Sequence, residues 1–311
     1  MEIFSSFLSK DPKKLPVVLP PAFWIVSGIS ISDSSFVDPA LRQRALDILN
    51  ACWKGDGWGS SCDTASSMSL LATYSAILIH TILQTPVASA DAIVGSLRSF
   101  LCSSIGITNH LNYGSPDVRF LYCLVGSFHL LNHLLTPNES APLIDFIYSS
   151  QTPEGGFGCE PGSEAHAGHT FCAIASLTLL NAPVPNKARL TEWLSRRIEL
   201  PSGRPEKRED CCYAWWVGAS WVMLGFDLPV DRFRNFLNSC RVGPGFAPRP
   251  GQDADLFHSF FASVALGLLD NSVDPRLAIP RYFQLYPLPI SGYAPIHSDC
   301  SQPRLCILQL F

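Results

Sequence analysis

The chain repeats a pattern of two helical runs joined by a turn that contains glycine. An amphipathic run precedes each turn, and a longer, more apolar run follows it. The turns recur about 42 to 50 residues apart, a spacing that is typical of repeat architectures. The five turns are residues 55–59, 104–106, 154–158, 201–203 and 243–246.

Each repeat predicts a weakly apolar helix paired with a strongly apolar one. The amphipathic runs are residues 41–53, 92–102, 142–150, 187–198 and 230–240. The apolar runs are residues 67–83, 117–135, 165–180, 211–224 and 255–269. Such pairs fit two concentric layers, with the polar-faced helices outside and the apolar helices lining the middle. No segment alternates with the period of a strand, so we predict an all-α fold. Periodicity alone permits a closed ring or an open solenoid.

Composition limits the classes of protein that this sequence can belong to. Hydrophobic residues make up 47% and charged residues 15%, which excludes a disordered chain and favours an extensive core. A net charge of −4 offers no basic surface for nucleic acid. The eleven cysteines are scattered through apolar runs, and no signal peptide follows Met1, so we expect reduced thiols in the cytoplasm. Residues 17–31 and 70–88 are too short or too interrupted to span a membrane.

Polar side chains cluster where the apolar runs begin. Because the turns and the starts of the inner helices lie at one end of a ring, we expect these side chains to converge on one rim. Three of them, Asp210, Cys212 and His258, are ligand types that zinc prefers, and three protein ligands leave the open position of a catalytic site. The alternative is a helix cap, a core thiol and a core histidine. The rim residues are Asp117, His166, Asp210, Cys212, Asp255 and His258.

Four blocks of this sequence resemble the β subunit of the protein prenyltransferases, which attach farnesyl or geranylgeranyl groups to cysteines near protein C-termini. The blocks are residues 117–123, 154–168, 203–216 and 250–258, and they follow one another in the family's order. The resemblance is strongest over about residues 110–270. It implies one domain over residues 1–311, folded as an α-α toroid (an α6-α6 barrel) of helical hairpins around a central apolar cavity.

The resemblance also implies roles for individual residues. Asp210, Cys212 and His258 would hold one Zn2+ that activates the substrate cysteine, with Tyr213 beside them in the catalytic site. The residues that would bind the diphosphate are His166, Arg204, Lys207 and Tyr213. The residues that would line the lipid pocket are Trp24, Phe171, Trp215 and Trp216. Arg119 would lie near the C-terminus of the peptide substrate.

The prediction of which kind of prenyltransferase this is relies on fewer residues. Farnesyl enzymes of the family carry a tryptophan at a position that falls at Pro20, which favours the longer geranylgeranyl group here. Residues 119–123, 170–177 and 250–252 resemble type I enzymes, which modify CaaX proteins. Residues 203–207 and the Trp215-Trp216 pair resemble type II enzymes, which modify Rab proteins. We expect type I, with type II and then a farnesyltransferase as alternatives.

The family implies partners as well. These are a prenyltransferase α subunit that forms a heterodimer with this chain, geranylgeranyl diphosphate, and the C-terminal cysteine motifs of small GTPases. A carboxylate that helps bind Mg2+ in farnesyl enzymes would fall at Pro248, which argues against a dependence on Mg2+. Arg249 could supply a cation there instead. Two rivals are a terpene cyclase, for which residues 253–255 fall short of the acidic motif, and a non-catalytic helical-repeat scaffold.

Overall fold

The computed structural model describes residues 18–32 and 38–281. The start of the chain, on which the expectation of a missing signal peptide rests, lies outside this part, as do both ends of the predicted 1–311 domain. The helices are α1 (Leu19–Ser32), α2 (Pro39–Cys52), α3 (Leu70–Leu83), α4 (Ala90–Leu101), α5 (Val118–Leu130), α6 (Pro137–Ser149), α7 (Ala167–Leu179), α8 (Lys187–Ile198), α9 (Cys211–Met223), α10 (Val230–Ser239) and α11 (Leu256–Leu269). A short hairpin of β1 (Arg241–Val242) and β2 (Gly245–Phe246) precedes α11.

The odd-numbered helices form a closed inner ring. Each of them packs against the next odd-numbered helix, and α11 packs against α1. The ring is also tied at its closure, where the Ser27 hydroxyl of α1 donates to the Ala278 carbonyl at 3.1 Å, across 251 residues of sequence. The prediction of an α-α toroid is therefore confirmed, and the open solenoid is excluded.

Burial separates the two layers as the sequence predicts. Nearly every residue of the inner helix α3 is buried, whereas the outer helix α10 buries Phe233 and Leu237 along one side. Within the described residues, no helix is long and apolar enough to cross a membrane. The 14 residues of α3 span roughly 21 Å, against about 30 Å of hydrocarbon.

Hydrogen bonds at one rim join neighbouring repeats. The residue that caps α7, His166, donates its backbone N–H to the carbonyl of Phe157 in the preceding turn at 3.0 Å. The first residue of the helix, Ala167, donates to the carbonyl of Gly203 in the next turn at 2.9 Å. The first residue of three other inner helices donates its N–H to a carbonyl of the next turn in the same way, in the pairs Leu70–Asn109, Val118–Cys159 and Cys211–Pro248. The turns therefore fix where α3, α5, α7 and α9 begin relative to the next repeat.

Two details differ from the sequence prediction. The helix α6 begins at Pro137 rather than at Pro142, because Thr136 and Glu139 form a reciprocal capping box at its start. The predicted turn at residues 243–246 is part of a hairpin: residues 245–246 form β2, and residues 243–244 connect the strands, with Gly243 at a positive φ of 55°. This hairpin is too short to change the all-α class.

Candidate active site

A carboxylate, a thiol and an imidazole meet at the rim between α9 and α11. One possible ligand atom from each of Asp210, Cys212 and His258 lies within 4.8 Å of the other two. Asp210 caps α9 and accepts the backbone N–H of Cys212 at 3.1 Å, while His258 Nε2 lies 3.3 Å from Asp210 Oδ1. The neighbouring Cys211 points its Sγ toward the carbonyl of His258, at 3.8 Å. The structure thus brings together the three predicted ligands and leaves Cys211 out of the cluster.

Asp255 fixes the orientation of the imidazole. It caps α11, and its Oδ1 accepts the backbone N–H of His258 at 2.8 Å. Its other oxygen lies 2.6 Å from His258 Nδ1, so Nδ1 carries a proton, and Nε2 is turned toward Asp210. A carboxylate behind a histidine in this way is the usual support of a metal ligand. The sequence placed Asp255 on the rim but gave it no role.

The electrostatics of this cluster favour a bound cation. Burial disfavours the charged form of His258, but the carboxylates of Asp210 and Asp255 outweigh it and raise the pKa. Burial, with the nearby Asp210 carboxylate, strongly raises the pKa of the Cys212 thiol. A divalent cation would reverse this and hold the sulfur as a thiolate. The donor set therefore fits a four-coordinate zinc ion with one open position.

A histidine and a tyrosine form a hydrogen-bonded pair beside the cluster. His166 Nδ1 accepts the backbone N–H of Gly168 at 3.1 Å, so the ring proton sits on Nε2 and is donated to the Tyr213 hydroxyl, 3.1 Å away. The pKa of His166 is lowered to about 4 by burial and by nearby cations, so the ring is neutral at pH 7. The Tyr213 hydroxyl keeps its own hydrogen for an acceptor in the site. Gly203 makes room for it, because a Cβ there would lie 2.4 Å from the phenol ring.

The predicted diphosphate-binding cations lie at different distances from this pair. Arg204 is close enough to lower the pKa of His166 and donates to the exposed carboxylate of Glu164 at 2.8 Å. Arg249, proposed only as a replacement for Mg2+, also lies near the site: burial raises the pKa of Tyr213 to about 12, the nearby Arg249 guanidinium opposes this, and Arg249 donates to the Glu209 carbonyl at 3.0 Å. Lys207 is exposed and lines a groove of about 750 Å³ whose other wall includes the outer helix α8. Its role therefore stays a prediction.

Next along the rim lies a second polar group. Arg119 donates from Nε and Nη2 to the carboxylate of Asp117, which caps α5, with a shortest distance of 2.6 Å, and its side chain is 57% exposed. His169 lies one turn after His166, with ring centroids 5.1 Å apart. Its Nδ1 is enclosed without a hydrogen-bond partner among the described residues. The sequence prediction omitted His169, although its spacing from His166 places both on one face of α7.

The four predicted lipid-pocket residues fall into two groups. Trp24 and Trp216 are half-buried and share an aromatic cluster with Phe257, at centroid distances of 5.3 and 5.9 Å. Trp215 and Phe171 are 1% and 4% exposed and pack against each other at 5.6 Å. Trp24 and Trp216 can therefore present a ring surface to a ligand. Trp215 and Phe171 are core residues that pack behind such a surface.

The fold matches that of a solved structure, Candida albicans protein geranylgeranyltransferase-I complexed with GGPP. The TM-score is 0.74, and the match covers 90% of this chain and 92% of that one at 22% sequence identity. In sequence, residues 5–299 match the prenyltransferase alpha-alpha toroid domain. The chain belongs to this family.

Similar curated proteins are β subunits of three kinds of protein prenyltransferase. The chain is 32% identical over 242 residues to geranylgeranyl transferase type-1 subunit beta of Arabidopsis thaliana, covering 68% of this chain and 62% of that one. It is 28% identical over 296 residues to the type-2 subunit beta of Saccharomyces cerevisiae, covering 85% and 87%. It is 32% identical over 210 residues to protein farnesyltransferase subunit beta of Arabidopsis thaliana, covering 65% and 43%. The chain thus spans under two thirds of two of these three relatives.

Proposed function

We propose that this chain is the catalytic β subunit of a cytoplasmic protein geranylgeranyltransferase of type I. It would transfer geranylgeranyl from its diphosphate to a cysteine thiolate near the C-terminus of CaaX proteins of the small GTPase class. The observation that carries the proposal is the meeting of Asp210, Cys212 and His258 directly beside the His166–Tyr213 pair. A metal-ligand set next to neutral hydrogen-bond donors suits a reaction between a thiol and a diphosphate ester.

The three ligand residues would act on the thiol. A zinc ion held by them would supply the positive charge that keeps a substrate thiol deprotonated at neutral pH. Asp255 would hold His258 in the orientation for this binding. The half-buried Trp24 and Trp216 would contact the isoprenoid chain, which needs an apolar surface.

The neighbouring donors would act on the leaving group. As the bond between the allylic carbon and oxygen breaks, negative charge grows on the diphosphate that departs. The Tyr213 hydroxyl and the Arg204 guanidinium can meet that charge, and His166 holds Tyr213 in place. Such donors speed the reaction because they bind the transition state more strongly than the ground state.

The deciding experiment is transfer by this chain co-expressed with a prenyltransferase α subunit. We expect about one zinc per heterodimer and transfer of labelled geranylgeranyl, in preference to farnesyl, to a CaaX peptide ending in leucine. Zinc without peptide transfer would favour a type II enzyme that acts on Rab proteins. A preference for farnesyl diphosphate would favour a farnesyltransferase. A chain without zinc or transfer would be a helical-repeat scaffold.

Tyr213→Phe tests the leaving-group arm of the site separately. We expect single-turnover transfer to slow by about 10²-fold, because one donor to the developing charge is lost. Zinc content should stay at the wild-type value, since the tyrosine is not a ligand. An unchanged transfer rate would remove Tyr213 from the mechanism.

A further inference from the structure

Two thiols touch at the end of the outer helix α2. Cys52 is the last residue of that helix and is completely buried, and Cys62 lies in the following loop and is partly exposed. Their Sγ atoms are 3.4 Å apart. Neither belongs to the site of the proposed function, so the pair calls for a separate explanation.

The backbone holds the two residues in this position. The chain reverses after Cys52, where the Lys54 N–H donates to the Gly57 carbonyl at 2.9 Å and the Gly59 N–H donates to the Cys52 carbonyl at 3.0 Å. The Lys54 ammonium donates to the Asp63 carbonyl at 2.6 Å and so fixes the residue next to Cys62. Several hydrogen bonds of the loop therefore hold the backbones of the two cysteines near each other.

We propose that Cys52 and Cys62 are a modification site at which a hydroperoxide forms a disulfide. In the first step the Cys62 thiol reduces hydrogen peroxide, becoming a sulfenic acid and releasing one water. In the second step the Cys52 sulfur attacks the sulfenic sulfur and displaces its oxygen as a second water. The two thiols together lose two electrons and two protons, and the peroxide takes up both.

Burial and distance set the order of these steps. Cys62 is the accessible partner, whereas burial and the adjacent Cys62 raise the pKa of Cys52 to about 12. Cys52 therefore reacts second, where its contact with the other sulfur replaces diffusional encounter. Forming the bond requires the sulfurs to move from 3.4 Å to about 2.05 Å, within reach of side-chain rotation.

The modification would lock the place where three helices meet. The Ser60 carbonyl of this loop accepts the N–H of Val18 at the start of α1, at 2.8 Å. The Trp58 N–H of the same loop donates to Thr73 Oγ1 of α3 at 3.0 Å. A cross-link from α2 to this loop restricts the unfolded chain, so oxidation should raise Tm by roughly 5 °C.

The test is peroxide treatment of the full chain, zinc-loaded and in its heterodimer if it requires one, followed by alkylation and peptide mapping. We expect two thiols to disappear together, a cross-linked peptide containing Cys52 and Cys62, and reversal by dithiothreitol. The rise in Tm should vanish in Cys62→Ser and persist in Cys102→Ser, which removes an exposed thiol elsewhere.

Other outcomes would overturn the proposal. These are over-oxidation of Cys62 alone, a cross-link to a different cysteine, or thiols that stay unmodified while Cys102 reacts. Because the readouts are mass and Tm, they decide this inference whether or not the chain transfers a prenyl group.

Discussion

The two sides of the rim share one local structure but differ in chemistry. On one side Ser69 caps α3 and Asp117 caps α5, and on the other Asp210 caps α9 and Asp255 caps α11. All four side chains accept a backbone N–H from the first turn of their helix. Only on the second side do the carboxylates also approach the ring nitrogens of His258. The capping bond therefore fixes where each polar side chain lies on the rim, and the residues that follow the cap decide whether it can help to bind a metal.

The largest expected difference lies between two adjacent cysteines. Cys212→Ala should abolish stoichiometric zinc and slow transfer by roughly a thousandfold, because several kcal/mol of stabilisation by the metal are lost. Cys211→Ala should keep the metal, since that thiol points toward the His258 carbonyl. Metal analysis and single-turnover transfer on both variants check this. Loss of zinc from the Cys211 variant alone would reverse the assignment.

Asp255→Asn tests whether the second side needs its carboxylate beyond capping. Asparagine caps a helix as well as aspartate does, so at a pH where His258 is neutral the free energy of unfolding of the metal-free protein should change little. Zinc affinity should fall 10- to 100-fold, because the support of His258 Nδ1 is weakened. Competition with a chelator measures this. Equal zinc affinity in both proteins would reduce Asp255 to a cap.

Ser69→Ala is the matched change on the other side. Ser69 is buried and its hydroxyl accepts the Ala72 N–H, so its removal should cost about 1 kcal/mol of unfolding free energy. Zinc affinity should be unchanged. Chemical denaturation measures the unfolding free energy, and the same competition with a chelator measures the zinc affinity. A change in zinc affinity here would mean that the two sides are coupled through the ring.

The remaining prediction concerns opposite trends with pH in the metal-free protein. The pKa of His166 is depressed to about 4, so its contribution to stability is present above the unfolded value near 6.5 and is lost as pH falls toward 4. The pKa of His258 is raised, so its contribution is present below 6.5 and is lost as pH rises through the raised value. Relative to wild type, Tm should therefore rise on acidification in His166→Gln and fall in His258→Gln. Parallel trends in thermal melts would contradict these assignments.

Much of this arrangement is readable from the sequence because it is local. Apolar periodicity separates inner from outer helices, and the spacing of the turns places Asp210, Cys212 and His258 at helix starts. The Asp255–His258 support was readable too, as a capping residue three positions before a histidine. The Thr136–Glu139 capping box is equally visible in the sequence, but the predicted helix began at Pro142, after this box.

Other features depend on contacts that periodicity does not encode. Whether the ring closes is decided by the packing of α11 on α1, at opposite ends of the described chain. Trp215 and Trp216 are adjacent in sequence, yet roughly 100° apart around the helix, and it is the packing of the neighbouring helices that leaves Trp216 half-buried and Trp215 fully buried. The direction of Lys207 is set by the path of its turn, in which Glu206 takes a positive φ of 59°.

The closed ring has a consequence for synthesis of the chain. Ser27 finds its partner Ala278 only after 251 further residues have been made, which takes about 10 to 50 s at usual translation rates. An open solenoid can begin folding at any repeat, but here α1 can pack against α2 and α3 early, while its side that contacts α11 stays uncovered until α11 has been made. We therefore expect this side of α1 to be the surface that a chaperone would shield while the ribosome completes the chain through α11.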